Sequence, residues 1–118
     1  MARVQKLLQI KKSDGCVVAS LFEPVAIRSD NASLFERELL DCLEAGGEEP
    51  IILDLANVRY ISSLGLGALL TLCRQSVPAG REVRVCGVSD QLMEVLQVCQ
   101  LDRVVPLFDS VKAATSGK

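Results

Sequence analysis

The stretch from Ile51 to Leu70, IILDLANVRYISSLGLGALL, holds the residues whose types and spacing can do chemistry. An apolar, β-favouring run ends at Asp54-Leu55, a short loop follows, and two hydroxyls, Ser62 and Ser63, stand before a run of small and apolar residues. This order predicts a strand covered on both faces, a loop through Asn57 and Arg59, and a buried helix capped by serine. A serine oxygen at a helix start accepts a hydrogen bond from the unpaired backbone N–H groups of the first turn. Once phosphorylated, the same residue sets about −1.5 to −2 charges beside the positive end of the helix dipole, where they are tolerated. A helix that follows a strand begins at the rim of the sheet, so the hydroxyl is also accessible. Capping and regulatory phosphoacceptance both fit, and the residue types alone leave the two open.

The remaining chemistry is thin. There is no histidine, which removes the commonest general base, the histidine-dependent nucleophile arrangements and every metal site that needs imidazole. Five cysteines, Cys16, Cys42, Cys73, Cys86 and Cys99, form no CxxC and lie mostly in apolar segments. They read as reduced thiols acting as small hydrophobes in a reducing cytoplasm. Gly65-Leu66-Gly67 starts a GxGxxG pattern, but Leu70 stands where the third glycine belongs. Glu36, Glu38, Asp41 and Glu44 follow the spacing of a solvated helix face. Neither catalysis nor a metal or cofactor is expected. The net charge of −2, the dispersed basic residues and the 3% aromatic content argue against direct nucleic-acid binding. The short basic group of Arg3, Lys6, Lys11 and Lys12 reads as a solvated face. No apolar stretch is long enough to insert in a bilayer.

The elements that must position the serines follow from pattern. With 118 residues, 49% of them hydrophobic, the chain is expected to form one domain over residues 1–118 around one core. Alternating residues from Val4 to Ile10 and from Cys16 to Phe22, with Asp14-Gly15 between them, predict a hairpin. Glu23-Pro24 ends or bends its second strand. Ser29-Asp30-Asn31 offer capping oxygens to a helix that carries Ala32, Phe35, Leu39, Cys42 and Leu43, closed by Gly46-Gly47. A strand over Glu82–Val88 precedes a helix capped at Ser89-Asp90, with Leu92, Val95, Leu96 and Cys99 on one stripe. Residues 102–108 read as a short terminal strand or extended segment, and Asp109-Ser110 as the cap of a last helix. The tail over 112–118 is expected to be loosely held.

These residues resemble the STAS domain, shared by anti-sigma factor antagonists and the cytosolic tails of sulfate transporters. The likeness rests on Leu53-Asp54-Leu55, then Val58, Tyr60, Ile61, Ser62, Ser63, Leu64, Gly65, Leu66 and Gly67, and it extends to the flanking elements over about a hundred residues. It implies an α/β (α+β) fold with a mixed central sheet of about four to five strands and about four helices. It also implies partner switching. The unphosphorylated domain binds a GHKL-type serine kinase, the anti-sigma factor, and phosphorylation of the helix-start serine breaks the complex. By position the acceptor is Ser63, with Ser62 the second choice, and the binding face comprises Arg28, Tyr60, Ser62, Ser63, Leu64 and Leu66. The chain departs from the family where Ser62 replaces an acidic residue, Leu64 a hydroxyl, and Val25 and Arg28 a glycine and an aspartate. The alternative role is a STAS scaffold that binds its partner constitutively, in a transporter accessory complex or signalling assembly, without a phosphorylation cycle. A monomer or weak dimer in the cytoplasm is expected.

Overall fold

Asp14 and Gly15 adopt φ of 50° and 78°, the left-handed pair that a two-residue hairpin needs. The computed structural model describes residues 7–45 and 47–117, so the readings that involve Arg3, Val4, Lys6, Gly46 and Lys118 lie outside the described residues. The hairpin joins β1 (Leu8–Ser13) to β2 (Cys16–Leu21). Next come β3 (Val25–Ile27), α1 (Ala32–Glu44), β4 (Ile51–Asp54), β5 (Val58–Ile61) and α2 (Ser63–Ser76). The chain finishes with β6 (Val83–Cys86), α3 (Asp90–Val98), a single 3-10 turn (Leu101–Arg103), β7 (Leu107–Phe108) and α4 (Val111–Ser116).

Five strands form a mixed sheet in the order β1-β2-β4-β6-β7, antiparallel in the hairpin and parallel thereafter. The expected α/β architecture is therefore present. One sheet face meets α1, α2 and α3 in a core built on Phe35, Leu39, Ile51, Leu53, Leu69, Leu72, Val85 and Leu96. The other face is covered by α4, where Ala114 closes over Cys16, Val18, Ile52 and Cys86. With apolar residues buried on both faces, β4 reads as an almost unbroken apolar run. All five cysteines are free, four of them buried and Cys99 half-buried.

Three local features differ from the sequence reading. Residues 58–61, read as part of a loop, are β5, and residues 25–27, given no element, are β3; the two pair in parallel as a separate small sheet. Strands of three and four residues leave too little alternation to be seen, and only their pairing reveals them. Asn31 stands at the start of α1 without capping it. Its Oδ1 instead accepts the Arg28 N–H at 2.7 Å, and its Nδ2 donates to Ala26 O at 3.0 Å. On α3, Leu92 and Leu96 are buried, whereas Val95 stays exposed and Cys99 is half-buried. The expected last helix is α4, which Ser110 caps and whose Ala114 O accepts from Arg84 Nη1 at 2.7 Å.

Candidate functional site

The small sheet sets the two serines apart. Ile27 and Ile61 pair across β3 and β5 and are both buried. Ser62 prolongs this pairing, its N–H donating to Ile27 O at 2.8 Å. The Ser62 backbone is extended, with φ −81° and ψ 173°. Its Oγ accepts the Gly65 N–H at 3.2 Å, and its carbonyl accepts the Leu66 N–H at 2.9 Å. Ser62 is thus the N-cap of α2, half-buried and with its oxygen engaged. Ser63 is the first helical residue and is exposed.

Neighbouring contacts hold this turn in place. Asn57 Nδ2 donates to Leu21 O at 3.2 Å, and Asn57 O accepts the Val25 N–H at 2.9 Å, so one residue ties the start of β5 to the hairpin and to β3. Asp54 Oδ1 accepts the Ala56 N–H at 3.0 Å and turns the chain out of β4. Gly65 lets α2 approach the small sheet closely, because a Cβ there would lie 2.6 Å from Ile61 Cγ1 and 2.7 Å from Ile27 Cγ2. Sequence reasoning placed Asn57 in the loop, as its polar, turn-favouring side chain suggests, but gave it no part in tying the loop to the hairpin.

Of the expected binding residues, Tyr60 and Leu64 are 58% and 60% exposed, and Arg28 and Ser63 are exposed with them at this end of the molecule. Leu66 differs: it is half-buried and packs against the main core. Beside Tyr60, a shallow groove of about 100 Å³ runs between β5 and α3, lined by Val58, Arg59, Tyr60, Ser89, Leu92 and Val95 among others. Arg59 and Val95 were not anticipated. Sequence reasoning set Val95 on the buried stripe and Arg59 in a loop, and neither position gave a signal of the groove. The larger cavity, about 430 Å³ between β1 and α1, is lined by Ile10, Lys12, Cys42 and Arg81 among others and by none of the expected site residues.

The arrangement can recognise a protein surface and present one hydroxyl for modification. Exposed large apolar side chains around a polar centre are the composition of an interaction patch. Burial pushes the Cys73 thiol up to about 11. Burial, with a contribution from Asp54, pushes the Cys86 thiol up to about 12, so neither is a ready nucleophile. Among the described residues no group of three or more His, Cys, Asp or Glu side chains can hold a metal ion. Nor is any described helix long and apolar enough to cross a membrane.

A mixed sheet with three helices on one face, one on the other and an exposed serine at a helix start defines the class, a small α/β domain. The chain belongs to the STAS domain family, whose model matches residues 8–114. "Putative anti-sigma factor antagonist BtrV" of Bordetella bronchiseptica is 30% identical over 109 residues, which span 92% of this chain and 91% of that protein. The crystal structure of a protein from Thermotoga maritima, described in the same words as a putative anti-sigma factor antagonist, is 25% identical, with a TM-score of 0.80 over 93% of this chain and 92% of that one. An anti-sigma-factor antagonist (STAS) domain protein of Planctomyces limnophilus shares the fold, with a TM-score of 0.84 at 19% identity over 97% of this chain and 98% of its own.

Proposed function

We propose that this single domain is an anti-sigma factor antagonist that acts in the cytoplasm by partner switching, with Ser63 as its phosphoacceptor. The observation that carries the reading is the division of labour between the serines: the Ser62 oxygen is occupied as the N-cap, while the Ser63 hydroxyl is exposed beside Leu64. The relatives named as antagonists add support. The partner is an anti-sigma factor serine kinase of the GHKL type, docked on Arg28, Tyr60, Ser62, Ser63 and Leu64, with Leu66 supporting the face from beneath. The kinase transfers the γ-phosphoryl group of ATP to Ser63 Oγ, the hydroxyl proton is lost and ADP leaves. The new charge of about −1.5 to −2 then lies within a contact otherwise made by Tyr60 and Leu64, where desolvation and repulsion drive the partners apart.

Ser63→Glu and Ser63→Ala separate this reading from a constitutive scaffold. A switch predicts that the glutamate abolishes binding of the kinase partner in a pull-down and that the alanine keeps binding while losing phosphate incorporation. Equal binding by both variants, or phosphate mapped elsewhere with none on Ser62 or Ser63, overturns it.

A further inference from the structure

β3 and β5 run in parallel with Ala26 beside Tyr60 and Ile27 beside Ile61. Ile27 and Ile61 are buried in the core, whereas Arg28, Tyr60 and Ser63 are exposed and Ser62 is half-buried. The bond from Ser62 N–H to Ile27 O, 2.8 Å long, holds the two chains together just before Arg28 and Ser63. Neighbouring strands lie about 4.8 Å apart, a gap that an arginine side chain spans.

The Arg28 backbone is fully engaged. Its N–H donates to Asn31 Oδ1 at 2.7 Å, and its carbonyl accepts from the Asn31 and Ala32 N–H groups at 3.2 and 2.8 Å. Its guanidinium, by contrast, has no hydrogen-bond or ion-pair partner among the described residues. An exposed, unpaired cation on a fixed backbone has only its own side chain to order when an anion appears beside it, which keeps the cost of pairing small. Guanidinium and phosphate also match as a two-point, charge-assisted pair.

We propose that Arg28 is the internal counter-ion of phosphorylated Ser63. The inference rests on the reading of Ser63 as the phosphoacceptor. When Ser63 carries phosphate, the guanidinium folds onto it. Phosphorylation then changes the binding face twice over: it adds a dianion and withdraws the cation that Arg28 otherwise presents to the partner. An acidic group on the partner that meets Arg28 in the unphosphorylated complex loses its contact in the same event.

The test uses the full chain with phosphoserine inserted at position 63 during translation, so that no kinase is needed. A phosphorus-31 NMR titration reads the second ionisation of the phosphate, ordinarily near pH 6. With Arg28 present the midpoint should lie roughly half a pH unit or more below that of Arg28→Gln, about threefold in proton affinity. Arg59→Gln, which removes an exposed arginine from β5, controls for the general field and should move the midpoint by less than about a third as much. Equal midpoints with and without Arg28, or an equal effect of Arg59→Gln, overturn the ion pair. Such a result leaves the kinase reading standing, whereas a kinase that modifies a different residue overturns that reading and leaves the titration unaffected.

Discussion

Gly65→Ala probes whether the serine turn depends on the close approach of α2 to the small sheet. A Cβ at Gly65 would sit 2.6 Å from Ile61 Cγ1 and 2.7 Å from Ile27 Cγ2, about 1 Å inside ordinary carbon contact. Both atoms are bonded directly to an isoleucine Cβ, and both side chains are buried. Relief therefore requires the helix start or the strands to move. Overpacking costs about 1–3 kcal/mol, and two contacts this close to the backbone place the cost in the upper half of that range. Alanine in place of a helical glycine returns at most about 1 kcal/mol. The net loss is about 1–2 kcal/mol, a fall in Tm of roughly 4–8 °C for a domain of this size. Gly67→Ala is the control. Nothing lies within 4 Å of a Cβ there, so that variant keeps the helix gain and its Tm should rise. Thermal and urea unfolding followed by circular dichroism read both variants. If Gly65→Ala is as stable as the parent, or no less stable than Gly67→Ala, the close-approach argument is wrong. A double-mutant cycle adds a second check: combined with Ile61→Ala, which removes one clashing atom, Gly65→Ala should cost at least about 0.5 kcal/mol less than it does alone.

Three further outcomes follow from the same geometry. Ser62→Ala should lose about 1 kcal/mol with the N-cap, and Ser63→Ala should stay within about 0.5 kcal/mol of the parent; denaturation midpoints in the reverse order would make Ser63 the cap. Arg81 is 6% exposed and donates to the carbonyls of Cys42 and Leu43 near the end of α1 and of Glu49 in the loop before β4. Arg81→Ala should cost about 2–4 kcal/mol and Arg81→Lys should recover little, because a single ammonium nitrogen cannot reach the two separate sets of carbonyls that the Nε, Nη1 and Nη2 donors of the planar guanidinium span; full recovery by lysine in urea melts would contradict this. The thiols of Cys73 and Cys86, held at about 11 and about 12 by burial, keep their protons in the folded chain while unfolded thiols ionise near about 8.5. Their raised values stabilise the fold fully below about pH 8.5, and that stabilisation is lost as pH climbs toward the folded values. Tm should fall between pH 8.5 and 10, with a shallower fall in Cys86→Val; identical slopes for parent and variant would refute the assignment.

What the sequence determined by itself was local. Asp14-Gly15 dictates a hairpin turn through its backbone angles, the apolar spacing of α1 points Phe35 and Leu39 inward, and Ser89 and Ser110 each cap a helix, because these preferences act within a few residues. The serine pair was legible too, as was its place at a helix start. Only the tertiary structure decided which serine is spent on capping, since that depends on Ser62 being drawn onto Ile27 by a pairing that joins segments more than thirty residues apart. The same pairing creates β3 and β5, carries Arg28 to the serine turn and leaves Tyr60 exposed. It likewise redirects Asn31, whose side chain fits a helix cap by type yet is taken by Ala26 and Arg28. Short strands with little alternation have no signal of their own; their stability comes from partners distant in sequence, which a local pattern does not record.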